Sequence, residues 1–255
     1  MKILKIPLLL IWRLWFYVLI LVFMLAFFPF LLIFSLHEKQ YHIFWRFARI
    51  LSKILIYGMG FRLNFNSDQY IDPNKSYMYC PNHGSLLDPF VLIALSKRPI
   101  VFVGKKELVR IPIFGFFYRR TVIMVDRSCV ESRKRVFEIA KKRLQNGVSM
   151  AIFPEGLVPT EEVVLAPFKK GAFSLAIEFQ IPIVPQVYYD CKRFFSWDIF
   201  KGNIGTLRVH QHALIETKGM NMEQDVIKLM DTTFKLLQTD LQNDCEYMKD
   251  TNRKI

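Results

Sequence analysis

The chain has 255 residues, 52% of them apolar, and carries 35 Lys and Arg against 22 Asp and Glu, a formal charge of +13. That length allows one catalytic domain with a sizeable core plus a membrane element, and 24 Phe exceed what a soluble core of this size needs. Cys80, Cys129, Cys191 and Cys245 are scattered, with no CxxC pair. This excludes a disulfide-dense secreted scaffold and a local zinc motif, and it fits reduced thiols in a cytosolic compartment.

Leu14 to Phe34 contains no charged or strongly polar residue. A helix of that length spans a hydrocarbon core of about 30 Å. Pro29 lies inside the run and predicts either a kinked spanning helix or a hairpin re-entering the same face. The run is too long for a signal peptide, and no small-residue cleavage site follows it. From His42 to Tyr57, Phe44, Phe47, Ile50, Leu51 and Ile54 recur at helical spacing among Arg46, Arg49 and Lys53. Two readings fit this pattern: an interfacial helix with basic side chains near headgroups, or a core-facing helix of the soluble domain. Basic flanks beside an apolar segment favour anionic lipid over nucleic acid as the partner of the excess charge. Lys and Arg are similar in number on both sides of the run, so the charge bias sets no orientation.

From about Arg62 the pattern becomes short apolar runs separated by turns and helical stretches. Strands are expected at Arg62–Asn66, Tyr77–Cys80, Ile100–Val103, Thr121–Val125, Ser149–Phe153, Ile183–Tyr188 and Thr206–Gln211. Helices are expected at Cys129–Gln145, with Ser128 and Glu131 as a capping box and Val136, Ile139, Ala140 and Leu144 inward, and at Phe168–Phe179. Val226, Met230, Phe234, Leu237 and Leu241 mark a C-terminal amphipathic helix, and the polar residues after about Asn243 are expected to fray. The fold class is therefore α/β: a mixed central sheet with flanking helices, preceded by an N-terminal membrane-associated helical element. Residues 1–58 form the membrane anchor and interfacial helix, 59–243 the main domain and 244–255 a polar tail.

Two clusters carry chemistry. Asn82-His83-Gly84-Ser85-Leu86-Leu87-Asp88 follows one apolar run, and Phe153-Pro154-Glu155-Gly156 ends another. A helix starting near Gly84 would return Asp88 toward His83 after one turn. Asp88 would then hold the imidazole, and neutral His83 would take a proton from a hydroxyl nucleophile. The competing reading is a His–Asp pair that only stabilises a turn. Ser85 lacks the G-x-S-x-G setting of a nucleophile.

The set Asn82-His83-x4-Asp88 and Phe153-Pro154-Glu155-Gly156 resembles the glycerolipid acyltransferase family that includes bacterial 1-acyl-glycerol-3-phosphate acyltransferases. Lys105-Lys106-Glu107-Leu108 with Ile111-Pro112-Ile113-Phe114-Gly115, and Val122-Ile123-Met124-Val125-Asp126-Arg127, match further blocks in order. So do Phe168-Lys169-Lys170-Gly171-Ala172 and Ile181-Pro182-Ile183-Val184-Pro185. The resemblance implies transfer of an acyl group from acyl-CoA or acyl carrier protein to a lysolipid hydroxyl, foremost 1-acyl-glycerol-3-phosphate, yielding phosphatidic acid. His83 and Asp88 would be catalytic, and Lys105 would help stabilise the oxyanion. Arg127, Glu155 and Gly156 would bind the acceptor, and Arg119, Arg120, Lys169 and Lys170 would be auxiliary phosphate-binding residues. No metal or bound cofactor is implied. The implied partners are membrane phospholipids and the acyl thioester carrier, with no nucleic acid and no defined oligomeric state. The catalytic domain would lie on the cytoplasmic face of the membrane.

One departure bears on the acceptor. The family pattern continues Phe-Pro-Glu-Gly with Thr-Arg-Ser, whereas this chain has Leu157-Val158-Pro159. Loss of one charge-assisted phosphate contact costs about 1.5–3 kcal/mol. The alternatives are a lysophospholipid or aminolipid acyltransferase or transacylase in membrane remodelling, and an inactive membrane-binding scaffold.

Overall fold

The computed structural model describes residues 2–36, 40–110, 114–125 and 130–249. Three helices open the chain: α1 Lys2–Ala26, α2 Phe28–Leu36 and α3 Tyr41–Gly58. Strand β1 Arg62–Ser67 and strand β2 Met78–Pro81 follow, then α4 Asp88–Leu95 and β3 Ile100–Lys105. A 3-10 turn at Lys106–Arg110 leads to α5 Phe114–Thr121, β4 Val122–Val125, α6 Val130–Gln145 and β5 Ser149–Ala151. The remainder is α7 Gly171–Glu178, β6 Ile183–Tyr188, α8 Cys191–Phe194, β7 Thr206–Gln211, α9 Met222–Asn243 and α10 Cys245–Lys249.

The seven strands form one mixed sheet in the order β1-β7-β6-β2-β5-β3-β4, with strands at all seven expected runs. β6, β2, β5, β3 and β4 are mutually parallel; β7 is antiparallel to β6 and parallel to β1. Every residue of β2, β5 and β6 is buried, as continuous apolar runs covered on both faces require. The exposed pattern of β1 fits its place at the edge. One buried cluster joins Met78, Met150 and Ile183 to α6, α7 and α9. The other joins Tyr79, Ala151 and Val184 to α1, α3 and α4.

The N-terminal elements bear on two expectations. Pro29 has no N–H, and the helical path is interrupted at Phe27, although Phe27 N–H still donates to Phe23 O and Leu31 N–H to Phe27 O. The Pro29 region is thus a break between α1 and α2 that backbone hydrogen bonds bridge. The helix begins well before Leu14 and includes Arg13, whose guanidinium donates to the carbonyls of Ser196 (2.9 Å), Asp198 (2.8 Å) and Lys201. Helix α3 is core-facing along one side. Tyr41, Phe44, Trp45, Leu55 and Ile56 are buried, whereas Ile50, Ile54 and Tyr57 are exposed beside Arg46 and Lys53.

Helix α1 is long and apolar enough over Ile6–Ala26 to cross a membrane, and only 17% of its most apolar window is buried. Its outward face shows Leu8, Ile11, Leu14, Leu21 and Leu25, the exposed apolar surface expected of a membrane-associated element.

Two expectations are corrected. Ile139 of α6 is exposed, not inward, whereas Val136 and Ala140 are buried. The Ser128 cap lies outside the described residues. Residues after Asn243 do not simply fray: Cys245–Lys249 is helical, with Tyr247 buried and its hydroxyl donating to Val164 O at 2.8 Å.

Candidate active site

The parallel strands β2, β5, β3, β4 and β6 end at one edge of the sheet, where α/β folds place their ligands. His83 follows β2, and Glu155 lies four residues beyond β5. Asn82 fixes the end of β2. Its Oδ1 accepts the Tyr188 N–H at 2.7 Å, and its Nδ2 donates to Tyr188 O at 3.2 Å, so one amide side chain pairs with the end of β6 as a backbone would.

The expected helix does not start at Gly84; α4 begins at Asp88 itself. The His–Asp pairing instead comes from a tight turn held by the Asp88 carboxylate. Oδ2 accepts the N–H groups of Gly84 (2.7 Å) and Ser85 (2.8 Å) and lies 2.8 Å from His83 Nδ1. Asp88 is fully buried, and the His83 side chain retains 20% exposure. An oxygen already accepting two amides acts as acceptor toward the ring as well. Nδ1 therefore carries the proton, and the Nε2 lone pair is available as a base. Phe153 stacks on the imidazole with centroids 4.2 Å apart.

The Glu155 carboxylate faces backbone N–H groups. It is buried, with Oε1 accepting the His83 backbone N–H at 2.6 Å and Oε2 accepting the Ala166 N–H at 2.8 Å. Burial pushes its carboxyl up from 4.5 to about 7, against the opposing pull of those two N–H donors. Gly156 follows with φ +72°, a left-handed conformation that favours glycine.

The structure gives Ser85 a role and adds Lys192, which no local motif marks. Ser85 is fully buried; its hydroxyl donates to Phe195 O at 2.6 Å and accepts the Leu87 N–H at 3.1 Å, a structural role. Lys192, just past β6, is buried, and its Nζ donates to Thr160 O (2.6 Å) and Val163 O (2.9 Å). It thus ties down the loop in which Leu157-Val158-Pro159 replaces the expected Thr-Arg-Ser. Lys192 also packs on Gly84, where an added Cβ would stand 2.7 Å from the lysine Cβ. A cavity of about 310 Å³ opens here, lined by Gly84, Pro159, Thr160, Lys192, Trp197 and Lys201 among others.

His83, Asp88, Glu155 and Gly156 therefore come together. Lys105 ends β3 at the same sheet edge. Arg119 is exposed on α5, which also carries Arg120. Lys169 and Lys170 are exposed, with the Lys169 N–H donating to Pro154 O at 2.9 Å. Arg127 lies outside the described residues.

A mixed α/β sheet thus presents a carboxylate-held imidazole at its strand ends, in a domain joined to an apolar exposed helix. The model of the Acyltransferase family matches residues 62–189, and the chain belongs to that family. It is 28% identical over 185 residues to human 1-acyl-sn-glycerol-3-phosphate acyltransferase beta, covering 72% of this chain and 66% of the human protein. It is 31% identical over 146 residues to the 1-acyl-sn-glycerol-3-phosphate acyltransferase of Cocos nucifera, covering 55% of this chain and 46% of that protein. The chain thus spans less than two thirds of the length of these relatives. The fold is shared with the crystal structure of the 1-acyl-sn-glycerophosphate (LPA) acyltransferase PlsC from Thermotoga maritima. That likeness has a TM-score of 0.76 at 20% identity and covers 95% of this chain and 98% of that one.

Proposed function

We propose that the chain transfers an acyl group from a thioester, on coenzyme A or acyl carrier protein, to the free hydroxyl of a lysophospholipid at a membrane surface. The leading acceptor is 1-acyl-glycerol-3-phosphate, as in the names of its relatives, with phosphatidic acid as product. The observation that carries this reading is the 2.8 Å contact of His83 Nδ1 with a buried Asp88 carboxylate.

His83 Nε2 removes the hydroxyl proton as the oxygen attacks the thioester carbonyl carbon. Asp88 stabilises the imidazolium so formed. Collapse of the tetrahedral adduct re-forms the carbonyl and breaks the carbon–sulfur bond; the departing thiolate recovers the proton from His83. Lys105, at the end of β3, is assigned to the developing oxyanion together with backbone N–H groups. Arg127, two residues beyond β4, is assigned to the acceptor phosphate, with Arg119, Arg120, Lys169 and Lys170 adding positive potential. Glu155 acts through the His83 backbone rather than on substrate. A domain clamped to α1 by Arg13, with an apolar outward face, supports a site that receives acyl chains from the bilayer; the catalytic domain is assigned to the cytoplasmic side.

A remodelling reaction on a larger headgroup is the second reading. It is favoured by the Leu157-Val158-Pro159 loop and by the commitment of Lys192 to two carbonyls. The test is a matrix of purified protein with acyl-CoA or acyl carrier protein against lysophosphatidate and larger lysophospholipids. His83→Ala should abolish turnover in a folded protein. Equal specific activities for wild type and H83A would overturn the proposal and leave a scaffold.

A further inference from the structure

We propose that Asp68, His210 and His212 form a binding site for a divalent transition-metal ion, and that this site fastens the outer edge of the sheet. It is independent of the acyl-transfer reading. The strands involved, β1 and β7, run opposite to the strands whose ends carry His83, and His210 pairs with Val187 of β6, so it sits on a strand two places away from β2 in the sheet order.

The parallel register sets Asn66 beside His210 and Ser67 beside Gln211. The Asp68 N–H continues this ladder by donating to Gln211 O at 2.9 Å, which brings Asp68 alongside His212. His210 and His212 are two positions apart and share a face, with ring centroids 4.2 Å apart. One ligand atom from each of Asp68, His210 and His212 falls within 4.8 Å of the others.

The ring nitrogens divide into two sets. On one side Asp68 lies 2.9 Å from His210 Nε2 and 3.6 Å from His212 Nδ1. On the other, Asp240 Oδ2 lies 2.9 Å from His210 Nδ1 and 2.8 Å from His212 Nε2. Asp240 is itself held by the Tyr189 hydroxyl, which donates to Oδ1 at 2.7 Å and lies 3.4 Å from His210 Nδ1.

This is how proteins prepare metal-ligating histidines: a carboxylate takes the proton of one ring nitrogen and so directs the other lone pair at the ion. Here the Asp240 carboxylate on α9 is hydrogen-bonded to His210 Nδ1 and lies 2.8 Å from His212 Nε2 outside hydrogen-bond geometry, and Asp68 closes the opposite side as the third ligand. Two imidazoles and one carboxylate suit zinc, whose ligand bonds of about 2.0–2.2 Å need only a small contraction of the group. Asp68 keeps 44% exposure, so the fourth position is open to water. On binding, the proton between His210 Nε2 and Asp68 leaves to solvent. No local motif marks the set, because Asp68 lies 142 positions from His210. The ion would link β1, at the sheet edge, to β7 and through Asp240 to α9.

The test uses the full, tag-free chain in detergent after chelator treatment. ZnCl2 is titrated in competition with a chromophoric chelator, and CoCl2 is followed by visible d–d absorption. One ion per chain is expected, with a raised melting temperature. His210→Ala and His212→Ala should each weaken binding by about 100-fold, and Asp240→Asn by about 10–100-fold. If either alanine variant fails to fold, Asp68→Asn and D240N read the same dependence. The proposal is overturned by an absence of stoichiometric Zn2+ binding, leaving only an ion-pair cluster. Binding undiminished in the variants that fold would overturn it equally, since other histidines would then be the ligands.

Discussion

Glu155 grips the peptide N–H of His83 at 2.6 Å, so the catalytic candidate is fixed from two sides: its ring by Asp88 and its backbone by a carboxylate arriving from beyond β5. Two motifs more than seventy residues apart are thereby one mechanical unit.

Asp88→Asn should lower turnover by about 10²–10⁴-fold while lysolipid binding is retained. The amide cannot serve as an anionic acceptor for three N–H groups, so the ring loses its fixed tautomer and the imidazolium its counter-charge. Steady-state kinetics with the melting temperature as a folding control decide this. A D88N enzyme with normal kcat would show that Asp88 only shapes the turn.

Glu155 gives a pH signature. Its carboxyl titrates near 7 when folded against 4.5 ordinarily, so the folded state holds a proton that the unfolded chain releases. Stability should therefore fall as pH rises from about 4.5 to 7 and level off above, by an amount on the order of 3 kcal/mol. Glu155→Gln should flatten this slope. It should also cost about 1–3 kcal/mol, because the new NH2 must face an N–H of His83 or Ala166. Thermal melts at pH 5, 6, 7 and 8 measure both effects; superimposable pH profiles for the two proteins would remove the assignment.

Lys192→Met should leave the carbonyls of Thr160 and Val163 without their shared donor and loosen the loop after Gly156. We expect acceptor KM to rise about 10-fold, with a smaller change in kcat. Gly84→Ala should have a similar effect, because its Cβ forces Lys192 to move. The double variant should be less than additive, since both changes act on one contact. Full additivity would separate them.

Arg208 bonds the fully buried Asp190 through Nε (2.8 Å) and NH2 (2.9 Å) and reaches Asp244 through NH1 at 2.7 Å. Arg208→Ala should destabilise the protein by roughly 3 kcal/mol, at the low end for a broken buried pair because Arg193 also contacts Asp190. A melting temperature unchanged by R208A would contradict this.

Leu14→Glu with Leu21→Glu places charge on the exposed apolar face of α1 without touching the core. Each buried charge is worth about 2.5–3.5 kcal/mol against insertion. Flotation with anionic vesicles should show loss of the membrane-bound fraction, while circular dichroism is retained. Unchanged flotation would place the membrane contact elsewhere.

β2, β5 and β6 were legible because buried parallel strands read as uninterrupted apolar runs, whereas β7 alternates buried with more exposed residues. His83 and Asp88 were legible because five positions separate them. The means of their pairing was not: an Asp carboxylate capturing two amides looks, in sequence, the same as a helix start. Glu155 was visible as a motif residue, yet its target, a backbone N–H, leaves no trace in residue identity. Lys192 has no signal of its own, since its carbonyl partners Thr160 and Val163 are brought to it only by the ends of β5 and β6. Ile139 misled because helical periodicity marks a stripe without locating its margin.

The clamp at Arg13 has a mechanical outcome. A helix whose guanidinium grasps carbonyls at positions 196, 198 and 201 has no slack against the sheet domain. The separation between the outward apolar face of α1 and the imidazole is then a built-in dimension.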